Sequence, residues 1–392
     1  MNAPDAKRRT GEEAMSSEKK MVAAVVGKIG DFEKGFLQAA AYRAGAALVF
    51  YPIVEEACSY LKALPETPRC VFVSHAAPID SLVDWMRSRA DLFSVPVVAL
   101  APYPADAEYR KAYAQGADDV LVASDAGGIT RRLANLEARR PGARPPANKG
   151  EAIVACQQIN QRRLLGRTLR QAGFDVYFAE GAFELVEIAK TARSLTLVVI
   201  TADFPPTGAE AAVKAVRTIT DNPTLPAMVI PEAGQGDGQG VLPAGSEQAG
   251  KVLFFADELL SGKGKEQRAS RRVLFHTVCS FREPGAMDSI HGLTHNMSRE
   301  GLYVRTLDPP RPGSELWLEM RDPRDGTGIH LRGRVVWRRE PSATGGSSPP
   351  GFGLRIEAER CPPEDLALYV CGYEELCRTV GDETRNAFLE AV

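Results

Sequence analysis

No apolar run in the 392-residue chain approaches the length that a helix needs to cross a bilayer. The opening stretch, MNAPDAKRRTGEEAMSSEKK, has basic residues but no apolar segment behind them, so it lacks the form of a secretory signal and reads as a charged, disordered lead-in. Paired cysteines are missing too. The seven cysteines (58, 70, 156, 279, 361, 371 and 377) are scattered and form no C-x-x-C, which argues against a zinc knuckle or a thioredoxin-type centre. They read as small buried hydrophobes. Nor does either sign of charge dominate: 48 basic against 50 acidic residues leave a net charge of -2, which disfavours non-specific DNA binding and still permits a local basic site. There is no nucleophile–base pair, no phosphate-cradling loop of standard spacing, and no cyclase or phosphodiesterase signature. These absences predict a cytoplasmic protein that is not an enzyme, carries no cofactor and does not insert into a membrane.

At this length more than one core is expected. Two stretches cannot continue a helix or strand: RRPGARPPANKG at 139–150 and the glycine-spaced, basic GKGKEQR at 262–268. They predict a lead-in over 1–20, a first domain over 21–140, a second over 150–262 and a third over 263–392.

The first domain alternates apolar runs with amphipathic segments. Strands are expected at Val22–Val26, Ala47–Tyr51, Cys70–Val73, Pro96–Leu100 and Asp119–Val122, with helices between them. The second repeats the scheme, with strands at Ala152–Cys156, Asp175–Phe178, Leu197–Ile200, Ala227–Ile230 and Val252–Phe255; GQGDGQG at 234–240 stands where a helix would be. Apolar strands alternating with helices indicate a buried parallel sheet, here two flavodoxin-like doubly wound units. LVVITADFPPTG (197–208) and AQGADDVLV (114–122) resemble the receiver domains of response regulators. That resemblance implies acidic residues after the first strand for magnesium, a phosphoaccepting aspartate ending the third, and a lysine after the fifth. This chain departs from each. Ser74 and His75 end the third strand of the first unit, and Ala123 and Ser124 follow its fifth. In the second unit Gln157 and Gln158 follow the first strand, Thr201 holds the acceptor position, and Ala256 replaces the lysine. Asp203, two residues further on, is the one candidate phosphoacceptor. Both units read as pseudo-receivers, kept as surfaces for protein partners.

The third domain changes to short alternating stretches: Val273–Cys279, Gly301–Thr306, Glu315–Met320, Ile329–Trp337 and Phe352–Ile356, followed by an amphipathic helix over Pro363–Arg378. This composition predicts a small antiparallel β-barrel with a C-terminal helix, with Trp317 and Trp337 in its core. His276, His291 and His295 share the domain, but their spacing suits no standard zinc site, and His295 is expected to support Asn296. Two motifs stand here. R-x-x-x-R spans Arg268 to Arg272, with Arg271 inside it, and N-x-S-x-x-G spans Asn296, Ser298 and Gly301. In this order, with RVVW (334–337) and GFGLRIE (351–357) behind them, they resemble the PilZ family.

The resemblance implies binding of cyclic di-GMP, and the residue types suit it. An arginine fork matches phosphate oxygens or a guanine edge, and its flat face stacks on a base. The Asn296 amide offers a donor and an acceptor to guanine, Ser298 a hydroxyl to phosphate, and Gly301 a close backbone approach or a positive φ. Lys263 and Lys265 extend the basic arm. Glu300 stands where the family often has a second glycine, and an inward-facing carboxylate there would oppose phosphate. The resemblance thus implies a second-messenger effector acting on protein partners in motility, polysaccharide output or development, with homodimerisation open. A nucleotide-independent scaffold and a regulator phosphorylated at Asp203 are the alternatives.

Overall fold

The computed structural model describes residues 21–64, 67–89, 91–137, 149–230, 251–256, 260, 270–340 and 349–387. Lys263, Lys265, Arg268 and the GQGDGQG segment lie outside them.

Five parallel strands, β1 (Met21–Val26), β2 (Ala46–Tyr51), β3 (Cys70–Ser74), β4 (Val97–Ala101) and β5 (Asp119–Val122), form the first sheet in the order β2-β1-β3-β4-β5. This is the flavodoxin order. Both faces of the strands are apolar, so each feeds two cores: Ala23 and Val25 pack on one side of the sheet, Ala24 and Val26 on the other. Helices α1 (Asp31–Arg43), α2 (Val54–Ala63), α3 (Ile79–Arg87), α4 (Asp106–Ala114) and α5 (Ala126–Glu137) cover them. In α3, Ile79, Leu82, Val83 and Met86 recur at helical spacing and are all buried.

The second unit has the same beginning, with β6 (Glu151–Ala155), β7 (Asp175–Ala179), β8 (Leu195–Thr201) and β9 (Ala227–Ile230) in the order β7-β6-β8-β9, and α6 (Ile159–Gln171), α7 (Ala182–Thr191) and α8 (Gly208–Ile219). One expectation is corrected. Residues 251–256 are helical, so Val252–Phe255 is no fifth strand. Val252 and Ala256, one turn apart, bury against the second sheet, and a short apolar run satisfies either geometry equally well.

Seven antiparallel strands follow: β10 (Val273–Leu274), β11 (Val278–Arg282), β12 (Ile290–Ser298), β13 (Gly301–Arg305), β14 (Glu315–Arg321), β15 (Gly328–Arg339) and β16 (Gly351–Ile356). Pairing of β12 with β13 closes six of them into a barrel, and β10 adds beside the far end of β12. Leu316, Leu318 and Met320 of β14 point inward with Phe281, Val304 and Phe352, and Tyr369 and Tyr373 of the C-terminal helix (Pro363–Ala387) plug the core. The tryptophans are not part of it. Alternation turns Trp317 outward between Arg282 and Arg332, and a bulge at Val336 leaves Trp337 37% exposed on the outer surface. Val273–Cys279, expected as one strand, is broken into β10 and the start of β11.

The barrel docks on α4, β5 and α5 of the first unit. Leu293 and Leu307 enter the two cores that flank the first sheet. Between them Arg132, fully buried, pairs with Asp119 at 3.1 Å and Asp308 at 3.3 Å and donates to the Thr306 hydroxyl at 2.9 Å. Asp119 also accepts from the Leu307 amide at 2.9 Å. A second seam joins Asp106, which opens α4, to the Thr277 hydroxyl and the Val278 amide. The second unit contacts the first where Arg167 of α6 pairs with Asp84 of α3.

Where the helical residues 251–256, α4 and the barrel meet, the rings of His276 and His295 lie 5.7 Å apart. Desolvation, then Arg305, Arg110 and Lys251, hold His276 down at about 3, and desolvation with His276 and Arg305 holds His295 well below its ordinary value. Unfolding frees both to take up protons below about pH 6.5. Their contribution is therefore complete above that value and is lost as pH falls toward the folded-state values. Urea titrations should show stability dropping between pH 6.5 and pH 5 by at most about 1.4 kcal/mol per pH unit for each histidine. A His276→Gln/His295→Gln double variant should be flatter over this range, and an unchanged slope would refute the assignment.

Candidate functional site

The N-x-S-x-x-G motif is a β-hairpin. Asn296 and Ser298 lie within β12, Arg299 and Glu300 form the turn, and Gly301 opens β13. The register pairs Ser298 with Gly301, Met297 with Leu302 and Asn296 with Tyr303. The Tyr369 hydroxyl braces the turn from below, at 2.8 Å from the carbonyls of both Ser298 and Gly301, and the Ser298 hydroxyl donates to the Gly301 carbonyl at 3.1 Å. Gly301 is there for close approach and not for a positive φ: a Cβ would strike the Leu354 carbonyl oxygen of β16.

Because Met297, Leu302 and Val273 face the core, their neighbours face out. On the other side of β12, Val273 pairs with Met297 and Leu274 with Asn296. Carried on by one residue, that register sets Arg272 opposite Ser298. The pairings across β13, β16 and β15 then order the outer surface in three rows. The first holds Arg272, Ser298, Gly301, Arg355 and Arg334; the second Leu274, Asn296, Tyr303, Gly353 and Trp337; the third Leu293, Arg305, Gly351 and Arg339. In the middle row the Trp337 ring stacks on Tyr303 at 4.9 Å and 13°, room for which comes from Gly353, where any Cβ would meet the indole.

Of the motif arginines, Arg271 and Arg272 lie immediately before β10. Arg272 is half-buried; Arg271 is exposed, and its carbonyl accepts from the Tyr373 hydroxyl at 2.8 Å. Burial raises the Tyr373 hydroxyl, and the nearby Arg271 and Arg299 guanidiniums pull it back. Glu300 is exposed at the turn, with its carbonyl taken by the Ile356 amide. Asn296 is only 9% exposed, a polar side chain set into the sheet surface. Trp337, Tyr303 and Arg355 join the face without having been expected there; the alternation of RVVW carried the signal, but the bulge reversed it.

Other expected residues fall elsewhere. Thr201 ends β8 and is buried, while Asp203 is exposed in the turn beyond it. His295 occupies the β-bulge of β12 beside Asn296 and turns away from the outer face. Among the described residues no three His, Cys, Asp or Glu side chains converge as a metal set, and no helix is long and apolar enough to cross a membrane. A cleft of about 930 Å³ opens between α5 and the barrel, but its lining mixes Arg131, Arg282, Arg311 and Arg338 with Glu283, Asp288, Asp308 and Glu340, and no motif residue lines it.

Residues 266–367 match the family model of the PilZ domain. No curated protein matches the chain. Similar solved structures include the Bacillus subtilis inhibitor of motility MotI/DgrA, 17% identical over 29% of this chain and 52% of that one, with a TM-score of 0.24. The PilZ domain of Escherichia coli YcgR with c-di-GMP is 14% identical over 30% of this chain and 98% of its own, with a TM-score of 0.24. A two-component response regulator/GGDEF domain protein is 14% identical over 62% of this chain and 100% of its own, with a TM-score of 0.29. The match to MotI/DgrA thus spans about half of that protein. Residues 266–367 are a PilZ domain, placed behind two flavodoxin-like α/β units.

Proposed function

We propose that this protein is a cyclic di-GMP effector, whose barrel takes the dinucleotide on the outer face bearing Arg272, Asn296, Ser298 and Gly301, with Arg268 and Arg271 closing from the basic arm. The observation that supports the reading is the register: Val273 pairs with Met297 and Leu274 with Asn296, so the chain leaving Arg272 runs beside the motif hairpin, on a face that also carries Arg355. Arginine supplies phosphate contacts, Ser298 adds one by turning its hydroxyl from the Gly301 carbonyl, and Asn296 reads a guanine edge. The Trp337 ring, exposed above a buried Tyr303, offers a flat surface to a purine. Glu300, at the exposed turn, leaves the phosphates unopposed. Ligand binding acts on the α/β units through their contacts with the barrel, and these units serve as surfaces for protein partners in motility, polysaccharide output or development.

Calorimetry on the full chain should show micromolar or tighter binding. Loss of a charge-assisted contact of about 1.5–3 kcal/mol predicts that Arg272→Ala weakens it by roughly tenfold to a hundredfold. Wild-type protein that gives no heat with cyclic di-GMP would sink the reading.

A further inference from the structure

Beside the motif face lies a second concentration of positive charge that the PilZ motifs leave unexplained. Arg305, in the third row of the barrel, stacks its guanidinium on Tyr113 of α4 at 4.1 Å. Its Nε is buried without a partner, and the same is true of Nε of Arg110, also on α4. Among the described residues neither guanidinium makes an ion pair or hydrogen bond. Both act on His276, as does Lys251 at the start of the helical residues 251–256. His295 is 3% exposed, and its Nδ1 has no partner. The bulge in β12 makes His295 the extra residue and turns it toward His276, with Phe254 at 6.5 Å and Tyr303 at 6.0 Å.

Basic groups from all three parts of the chain therefore meet at one junction. The carboxylates that act most strongly on Arg305 are Asp118 and Asp119. Neither is available to it: Asp118 is held by Arg87 and the Val97 amide, Asp119 by Arg132 and the Leu307 amide. Of the acids on α4, Asp106 is taken by the Thr277 hydroxyl and the Val278 amide, and Glu108 has a buried Oε2 without a partner. Unpaired charge in a desolvated junction is strongly unfavourable unless an anion completes it. β-Bulges commonly re-aim side chains beside functional sites.

We propose that this junction is a binding site for a phosphate group, held by Arg110, Arg305 and the His276–His295 pair. A phosphate presents several acceptor oxygens, which suits two guanidinium forks and an imidazole N–H. The site is separate from the motif face: Arg305 is four residues along β13 from Gly301, roughly 13 Å at the rise of a strand. An anion seated there would tie the first α/β unit to the barrel.

The test uses the full chain, with inorganic phosphate and pyrophosphate as probes and chloride at matched ionic strength as control. Thermal unfolding and calorimetry should show stabilisation beyond chloride. Arg110→Gln and Arg305→Gln should each weaken it by about tenfold or more, while Arg272→Ala leaves it intact. Circular dichroism checks the fold; if Arg305→Gln does not fold, Arg110→Gln carries the same expectation. The proposal is overturned if wild type responds no more than to chloride, or if the folded variants respond as wild type does. It is also overturned if Arg272→Ala abolishes the phosphate response together with cyclic di-GMP binding, because a single site would then explain both.

Discussion

Arg132→Met is expected to lower the unfolding free energy by about 3–5 kcal/mol, the cost of stranding a buried charge. Its side chain and that of Asp119 are both 0% exposed, and Asp119 would keep only the Tyr113 hydroxyl and the Val120 and Leu307 amides. The loss should not be spread evenly. Arg132 binds the barrel through Thr306 and Asp308, so its removal loosens the barrel from the first unit before either core melts. A urea titration followed by tryptophan fluorescence should separate into two transitions where wild type has one, because Trp85 reports the first unit and Trp317 and Trp337 the barrel. An Arg132→Met/Asp119→Asn double variant should recover part of the loss, as expected when one partner's damage consists of the other's stranded charge. A single-variant loss below about 1 kcal/mol would mean that the buried pair is solvated in the native protein.

That pair also marks where sequence reading stops. Parallel strands buried on both faces are continuous apolar runs, so β1 to β9 were legible to within a residue or two, as at Asp119–Val122 and Ala227–Ile230. Strand β12, IHGLTHNMS, was not. Its inward Thr294 is polar and satisfied by the Phe275 carbonyl, and its bulge breaks the period-two pattern. The same kind of irregularity misplaced Trp337: without the bulge at Val336, strand parity would turn it inward. Of the motif face, Asn296, Ser298 and Gly301 were visible because they are close together in sequence. Tyr303 was not, since its role depends on a stack with Trp337 from another strand. Arg132, Asp308, Arg110 and Arg305 resemble ordinary surface charges until the fold brings them together.

Two glycines on the motif face should respond in opposite ways to the same added methyl. At Gly301 the new Cβ meets the Leu354 carbonyl, backbone of the neighbouring strand, and no rotamer can relieve the contact. Strands β13 and β16 must separate there, and the Tyr369 hydroxyl loses its geometry with the Gly301 carbonyl. Gly301→Ala is therefore expected to cost about 1–3 kcal/mol by overpacking and to weaken cyclic di-GMP binding as the hairpin shifts. At Gly353 the Cβ meets the Trp337 indole, the end of a side chain that can swing into solvent. Gly353→Ala should leave the urea midpoint within about 0.5 kcal/mol of wild type. If the Tyr303–Trp337 stack receives a purine, the same variant weakens the dinucleotide by roughly tenfold, the worth of about 1.4 kcal/mol. Thermal unfolding and calorimetry on both variants separate the cases. Equal losses of stability would mean that the outer face behaves as one rigid sheet; unchanged affinity in folded Gly353→Ala would remove the aromatic stack from the site and leave recognition to Asn296, Ser298 and the arginines.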